Sequence, residues 1–136
     1  STLFYVTKII RSEPTPEFID AMQFIAKQSQ PGEVVFTTSE HAYLVAYYTK
    51  LETFINPVRA EREPSRLVLF ENITASRTLE YTQSVFTQHR VRYIFIDQSF
   101  ADYLDGKNGL IFLLETSPSF AKIYENNGFT VWMYTG

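Results

Sequence analysis

Two groups of polar side chains follow the two strongest strand signals of the sequence, and together they could do chemistry. Ser39, Glu40 and His41 follow the first strand signal, and Asp97 and Gln98 follow the second. The carboxyl ends of neighbouring parallel strands meet at one edge of a sheet, so we expect these five residues to line one crevice. An imidazole titrates near neutral pH and a carboxylate can orient it. The crevice could therefore bind a small polar molecule or transfer protons.

The same residues also have an ordinary structural interpretation, which stays open beside the functional one. Ser39 can cap the helix that follows it, Glu40 favours the positive end of that helix, and His41 can lie partly in solvent. No second histidine at ligand spacing accompanies His41. We therefore predict no metal site, and we assign no catalytic residue.

Several classes of chemistry and several partners lack the residues that they need. The sequence has no cysteine, which removes thiolate metal sites and cysteine nucleophiles. Neither a glycine-flanked serine elbow nor a glycine-rich phosphate loop follows a strand signal. The formal net charge is -3, and the charges are not clustered in long runs of one sign. We therefore expect no cofactor and no nucleic-acid partner.

The elements that must position the crevice can be predicted from apolar patterns. Thr15 followed by Pro16 predicts the start of a first helix. The Thr15 side chain can cap the helix N-terminus, and Pro16 suits the first helical turn. The apolar run 34–36 predicts a strand buried on both faces, and residues 91–97 predict the strongest strand, which we expect beside it. Rings alternate on both sides of the turn at residues 125–128, and this pattern predicts a C-terminal hairpin.

This order of elements predicts the fold class and the domain limits. Helices alternate with strands up to residue 116, which favours an α/β domain with a three-layer, mostly parallel, Rossmann-like sheet and a C-terminal antiparallel hairpin at its edge. The 136 residues suit one domain, which we assign to 13–136. We interpret residues 1–12 as a membrane-proximal or linker segment.

Four further segments carry more detailed predictions. In the helix after Ser39, we expect Tyr43 or Leu44, together with Tyr47 and Tyr48, to face inward. Residues 57–65 are charged and aperiodic, which predicts an exposed loop, and residues 67–70 predict a short extended piece. Residues 76–88 predict another helix, and residues 105–106 predict a turn.

Four stretches of the chain carry a resemblance to a known family. They are TPEFIDAMQFIAKQSQPGEVV, TTSEHAYLVAYYTKLETFI, VRYIFIDQS and FAKIYENNGFTVWMYTG. In this order they resemble the soluble C-terminal domain of multi-pass membrane glycosyltransferases of the C-type fold, related to oligosaccharyltransferases and mannosyltransferases. In oligosaccharyltransferases a tryptophan-rich motif for acceptor recognition stands where this chain has SEHAYLVAYY. Its tryptophans and its Asp-Tyr-Gly are absent, so no acceptor-binding role is carried over to these residues.

The resemblance implies a non-catalytic accessory domain on the extracytoplasmic side of a membrane-embedded parent protein. The catalytic acidic residues of such transferases lie in transmembrane segments and their loops, so this chain alone is not expected to be an enzyme. Its partners would be the transmembrane part of its own parent chain and a glycan or protein acceptor. A strongly hydrophobic segment is then expected upstream of Ser1 in the gene product.

Two alternatives remain open beside the accessory domain. The chain could be a free-standing small-molecule-binding or enzymatic α/β module with its site near His41 and Asp97. It could also be an interaction module that pairs with a partner through an edge strand at residues 129–134.

Overall fold

The computed structural model describes residues 14–56 and 61–136. The proposed segment 1–12 lies outside the described residues, as does part of the predicted loop at 57–65. The helices are α1 (Pro16–Gln28), α2 (Ala42–Thr49), α3 (Pro64–Ala75), α4 (Leu79–Gln88), α5 (Gln98–Lys107) and α6 (Leu110–Thr116). The strands are β1 (Val34–Phe36), β2 (Glu52–Thr53), β3 (Val91–Ile96), β4 (Phe120–Asn126) and β5 (Phe129–Tyr134).

Within the described residues the strands form one mixed sheet in the order β2-β1-β3-β5-β4. β1 pairs in parallel with both β2 and β3, as expected for the crossover helices between them. β5 then pairs antiparallel with β3 on one side and with β4 on the other. The predicted α/β class and the hairpin are confirmed. The mostly parallel Rossmann-like sheet is wrong, because the hairpin joins the sheet beside β3 and supplies two of its strands.

The position of β5 also corrects the edge-strand hypothesis. Residues 129–134 are hydrogen-bonded on both sides, so they have no free edge to offer to a partner. The outer strand of the hairpin is β4 instead. The two strands turn at Asn127 and Gly128, whose φ angles of 46° and 86° suit a tight hairpin.

Apolar side chains pack on both faces of the sheet because successive strand residues point to opposite sides. On one face, Val34 and Phe36 pack with helices α3 to α6. On the other face, Val35 packs with α1 and α2. The site at the end of β1 is therefore held between two separate apolar clusters.

The first helix follows its sequence signals. Thr15 Oγ1 accepts a hydrogen bond from the Phe18 amide at 3.2 Å, and Pro16 occupies the first turn. The buried residues Phe18, Ala21, Met22 and Ile25 recur at helical spacing. This prediction is confirmed.

Three predicted details of the other helices are wrong. Residues 67–70 belong to α3, which begins at Pro64, because a short apolar run fits a helix as well as a strand. Residues 105–106 continue α5, which ends at Asn108 in the left-handed conformation that asparagine tolerates. Tyr47 faces outward, as does Tyr43, since α2 turns Ala42, Val45 and Thr49 toward the core. The alternative Leu44 and the predicted Tyr48 do pack against that core.

None of the helices in the described ranges 14–56 and 61–136 combines the length and the apolar content that crossing a bilayer requires.

Candidate functional site

The site lies where the chain leaves β1 and β3 in opposite directions. After β1 the chain continues to α2, whose Val45 belongs to the apolar cluster on one face of the sheet. After β3 it continues to α5, whose Phe100 and Leu104 belong to the cluster on the other face. Ligands of open α/β sheets bind in the crevice at such a switch point, beyond the carboxyl ends of the strands. The residues that follow these two neighbouring parallel strands therefore lie at the same edge of the sheet.

His41 and Asp97 meet at this edge of the sheet. His41 Nε2 lies 2.5 Å from Asp97 Oδ2, and their side chains are 21% and 13% exposed. The imidazole ring packs against Phe18 and Phe95, with centroids at 5.5 and 6.4 Å. Apolar rings therefore support one side of the pair and leave part of it open to solvent.

The two pKa values move in the directions that favour a charged pair. The hydrogen bond that His41 donates to Asp97 raises the pKa of His41, and it outweighs burial, which acts in the opposite direction. Burial raises the pKa of Asp97, but the hydrogen bonds from His41 and from the Phe100 amide outweigh this effect, so its pKa is lowered. The protonated imidazole then donates through Nε2 to the carboxylate.

Both oxygens of Asp97 are engaged. Oδ1 accepts a hydrogen bond from the Phe100 amide at 2.7 Å, which caps α5. Oδ2 faces His41. The carboxylate is thus fixed by the start of a helix, and it in turn fixes the orientation of His41.

Glu40 completes a group with three metal-ligating side chains. Its carboxylate, His41 and Asp97 each offer a ligand atom, and these atoms lie within 4.8 Å of one another. An ion in this group would have to displace the proton that His41 shares with Asp97. Glu40 itself is exposed.

The remaining two predicted site residues lie apart from this pair. Ser39 is exposed and opens a short 3₁₀ turn, and neither that turn nor α2 has a side-chain cap, so the predicted capping role of Ser39 is wrong. Gln98 is exposed, and its amide donates to Asp102 Oδ1 at 3.0 Å along α5. The structure therefore brings together Glu40, His41 and Asp97, with Ser39 and Gln98 at the margins.

A pocket of about 200 Å³ opens at the carboxyl end of β1, on the side of Ser39. Its opposite wall is formed by Leu67, Glu71 and Tyr103, from α3 and α5. This wall could not be predicted from local patterns, because the apolar run 67–70 fits an extended piece as well as one face of a helix.

Two exposed aromatic side chains were also not predicted from the sequence. Tyr43 and Tyr47 are 63% and 67% exposed on successive turns of α2. The Lys50 ammonium lies 5.0 Å from the centroid of the Tyr47 ring. Nearly every residue of α2 is apolar or aromatic, so no polar face indicated which side would be outward.

The fold matches a solved structure, the C-terminal globular domain of an oligosaccharyltransferase (AfAglB-S2) from Archaeoglobus fulgidus. The TM-score is 0.69, and the match covers 90% of this chain and 99% of that one, at 10% sequence identity. No protein-family model matches the sequence, and no curated protein does. The resemblance stated from the sequence is therefore confirmed in fold.

Proposed function

We propose that this chain is a non-catalytic accessory domain of a membrane-embedded protein resembling a glycosyltransferase that uses a lipid-linked sugar. The observation that carries the proposal is the match to an oligosaccharyltransferase domain, which extends over 90% of this chain and 99% of that domain. That domain is C-terminal in its own protein. A match of almost its full length supports a chain that is likewise one part of a larger protein.

Asp97 has structural roles that need no catalysis, and these are compatible with an accessory domain. One of its oxygens caps α5 and the other accepts from His41, so the fold itself accounts for both contacts. The chemistry of sugar transfer would then belong to the transmembrane part of the parent chain, which is the proposed partner. We place the domain on the extracytoplasmic side, where it contributes to binding of a glycan or protein acceptor or covers the transferase site.

The test uses the full gene product in membranes. Transfer from a lipid-linked sugar to an acceptor is measured for the unchanged protein and for the variants His41→Ala and Asp97→Asn. For an accessory domain, kcat stays within about threefold of the unchanged value, because no reacting group has been removed. Removal of the whole domain is expected to raise the KM for the acceptor.

Two results would contradict this proposal. A fall in kcat of about a hundredfold or more in a folded His41→Ala variant has the size expected when a general acid or base is lost. A gene product without any further apolar segment of about 18 residues would lack the membrane part altogether.

A second function is favoured by the position of the His41–Asp97 pair at the switch point. In this alternative the chain is a free-standing small-molecule-binding or enzymatic α/β module, with Ser39, Glu40, His41, Asp97 and Gln98 around the ligand. A metabolite panel screened by thermal shift should then give a hit whose stabilisation is lost in His41→Ala. A panel without a stabilising compound counts against it.

A further inference from the structure

Helix α3 carries the only Asn-x-Ser or Asn-x-Thr triplet of the sequence, at Asn72, Ile73 and Thr74. This pattern, with any residue but proline in the middle, is the acceptor pattern for N-glycosylation. Triplets of this kind also arise by chance. The surroundings of the two polar side chains therefore decide what this one can do.

Asn72 offers an amide at the surface. It is exposed on the outer side of α3, and no hydrogen bond or ion pair holds its side chain within residues 14–56 and 61–136. Val68, one turn earlier on the same side of the helix, is 56% exposed. A large polar group on Asn72 would therefore extend into solvent beside an apolar side chain and would displace nothing from the core.

Thr74, in contrast, faces the interior. It is fully buried, and its Oγ1 donates a hydrogen bond to the Glu71 carbonyl oxygen at 2.8 Å. The hydroxyl of Tyr103, in α5, lies 3.4 Å from the same atom. In the folded domain, the threonine hydroxyl of the triplet is thus closed to any enzyme.

Helical geometry separates the two groups further. Side chains two positions apart in an α-helix do not face the same side. Because the acceptor pattern requires both residues, a transferase must reach the asparagine amide and the threonine hydroxyl together. The helical form of the triplet cannot meet this requirement, whereas an extended form can. That form exists only before α3 packs or after it opens.

We propose that Asn72 is an N-glycosylation acceptor of the unfolded chain, and that folding of α3 closes it. The donor is an oligosaccharide linked through C1 to a lipid diphosphate, and the catalyst is a membrane oligosaccharyltransferase. The C1–O bond of the donor breaks and a bond from C1 to Asn72 Nδ2 forms. The lipid diphosphate leaves with the electron pair, and the amide loses one proton. In the cell this step rests on the proposed extracytoplasmic placement, since the chain must enter the compartment in which the transferase acts.

Acceptor competence is measured in a system that does not depend on that placement. The 136-residue chain, behind a cleavable signal sequence, is synthesised in a cell-free system with microsomes. A gel shift that an endoglycosidase reverses reports the glycan, and mass spectrometry locates it. We expect the glycan on Asn72.

A parallel reaction tests the folded domain. The purified, folded chain is incubated with detergent-solubilised oligosaccharyltransferase and lipid-linked oligosaccharide, together with a peptide of residues 67–78. The peptide carries the same triplet without the fold that buries it. Transfer to the folded chain should be at least about a hundredfold slower than transfer to the peptide, because the closed state of a stable domain is strongly favoured.

Matched variants separate recognition from folding. Thr74→Ser keeps the hydroxyl and should keep the modification during synthesis, whereas Thr74→Val and Asn72→Gln should abolish it. Phe36→Ala removes a buried ring from the cluster that holds α3, so the purified variant should accept the glycan at least about tenfold faster than the unchanged chain. Phe112→Ala removes a ring that is 38% exposed, and it should behave like the unchanged chain.

Three outcomes overturn the proposal. The first is a chain that gains no glycan during synthesis while a secreted acceptor protein in the same reaction does. The second is transfer to the folded chain as fast as to the peptide, or transfer to Phe36→Ala no faster than to the unchanged chain. The third is a glycan that persists in Thr74→Val or that maps to another residue. The accessory role would survive each of these results, because it depends on the membrane assay, and a failure of that assay would leave the acceptor result unchanged.

Discussion

His41 and Asp97 lie 56 positions apart in the chain, yet His41 Nε2 is 2.5 Å from Asp97 Oδ2 beyond the carboxyl ends of β1 and β3. The pair ties the turn after β1 to the first turn of α5, because Asp97 also accepts the Phe100 amide. One contact thus joins segments that pack on opposite faces of the sheet.

Asp97→Asn should lower the pKa of His41. Asparagine can still cap α5, but it removes the negative charge that favours the imidazolium. Burial, which lowers the pKa of His41, is then opposed only by the weaker effect of Glu40. An NMR titration of the ring protons measures the change. A His41 pKa equal in the two proteins would show that Asp97 is not its main electrostatic partner.

The stability that the pair contributes should depend on pH in a defined window. The pKa of His41 is raised above its ordinary value of 6.5, so its contribution is present below that pH and is lost as pH rises through the folded-state pKa. The pKa of Asp97 is lowered below 3.8, so its contribution is present above that pH and is lost as pH falls through the folded-state pKa. Both contributions are complete between these two ordinary values.

His41→Gln should therefore destabilise the domain more at about pH 5.5 than at about pH 9. Denaturant unfolding of both proteins at the two pH values gives the difference. The same substitution in an Asp97→Asn background is the control, and there the pH dependence should be lost or reversed in sign, because burial, which lowers the pKa of His41, is no longer outweighed. A loss of stability that is the same at both pH values would point to ring packing against Phe18 rather than to the ion pair.

Two glycines near the end of α5 should respond in opposite directions to alanine. At Gly109 a Cβ atom would lie 2.5 Å from the carbonyl oxygen of Ala75 and from the Ser76 nitrogen, so backbone would have to move. We expect Gly109→Ala to lower the free energy of unfolding by about 3 kcal/mol. Gly106 is in α5 with open space around its Cβ position, and Gly106→Ala should raise that free energy by about 0.5 kcal/mol. Equal effects of the two substitutions in urea unfolding would refute this packing.

The candidate pair could be predicted from the sequence because two local signals were sufficient. β1 and β3 are apolar runs rich in β-branched and aromatic residues, and each is followed at once by polar residues. Their parallel pairing then brings His41 to Asp97 without further information. The start of α1 at Thr15 was predictable for a similar reason, since a cap and a proline act locally.

The position of α3, the place of β5 in the sheet and the pocket wall depend on contacts between residues that are distant in the sequence. The run at 67–70 has no periodicity that distinguishes a helix from a strand. Its helical conformation in α3 is selected by packing in the cluster around Phe36 and Phe70. The place of β5 beside β3 depends on pairings such as Ile94 with Trp132, which no local pattern specifies. The pocket wall at Glu71 and Tyr103 follows from the placement of α3, so it could not be predicted either.

Phe36 should be one of the most sensitive positions of the domain. Its ring is fully buried and lies 4.8 Å from Phe70, 5.1 Å from Phe54 and 5.3 Å from Phe86, measured between centroids. Phe36→Ala would leave a cavity among these rings, and we expect a loss of about 4 kcal/mol in the free energy of unfolding.

Phe112→Ala is the matched control for Phe36. This ring is 38% exposed on α6, where the Arg77 guanidinium lies 4.3 Å from its centroid. Its removal should cost about 1 kcal/mol or less, since the ring is partly in water already and an exposed cation–π contact contributes little. Urea unfolding followed by circular dichroism measures both variants. If the two substitutions cost the same, the cluster around Phe36 is not the packed centre that holds β1, and with it His41, in place.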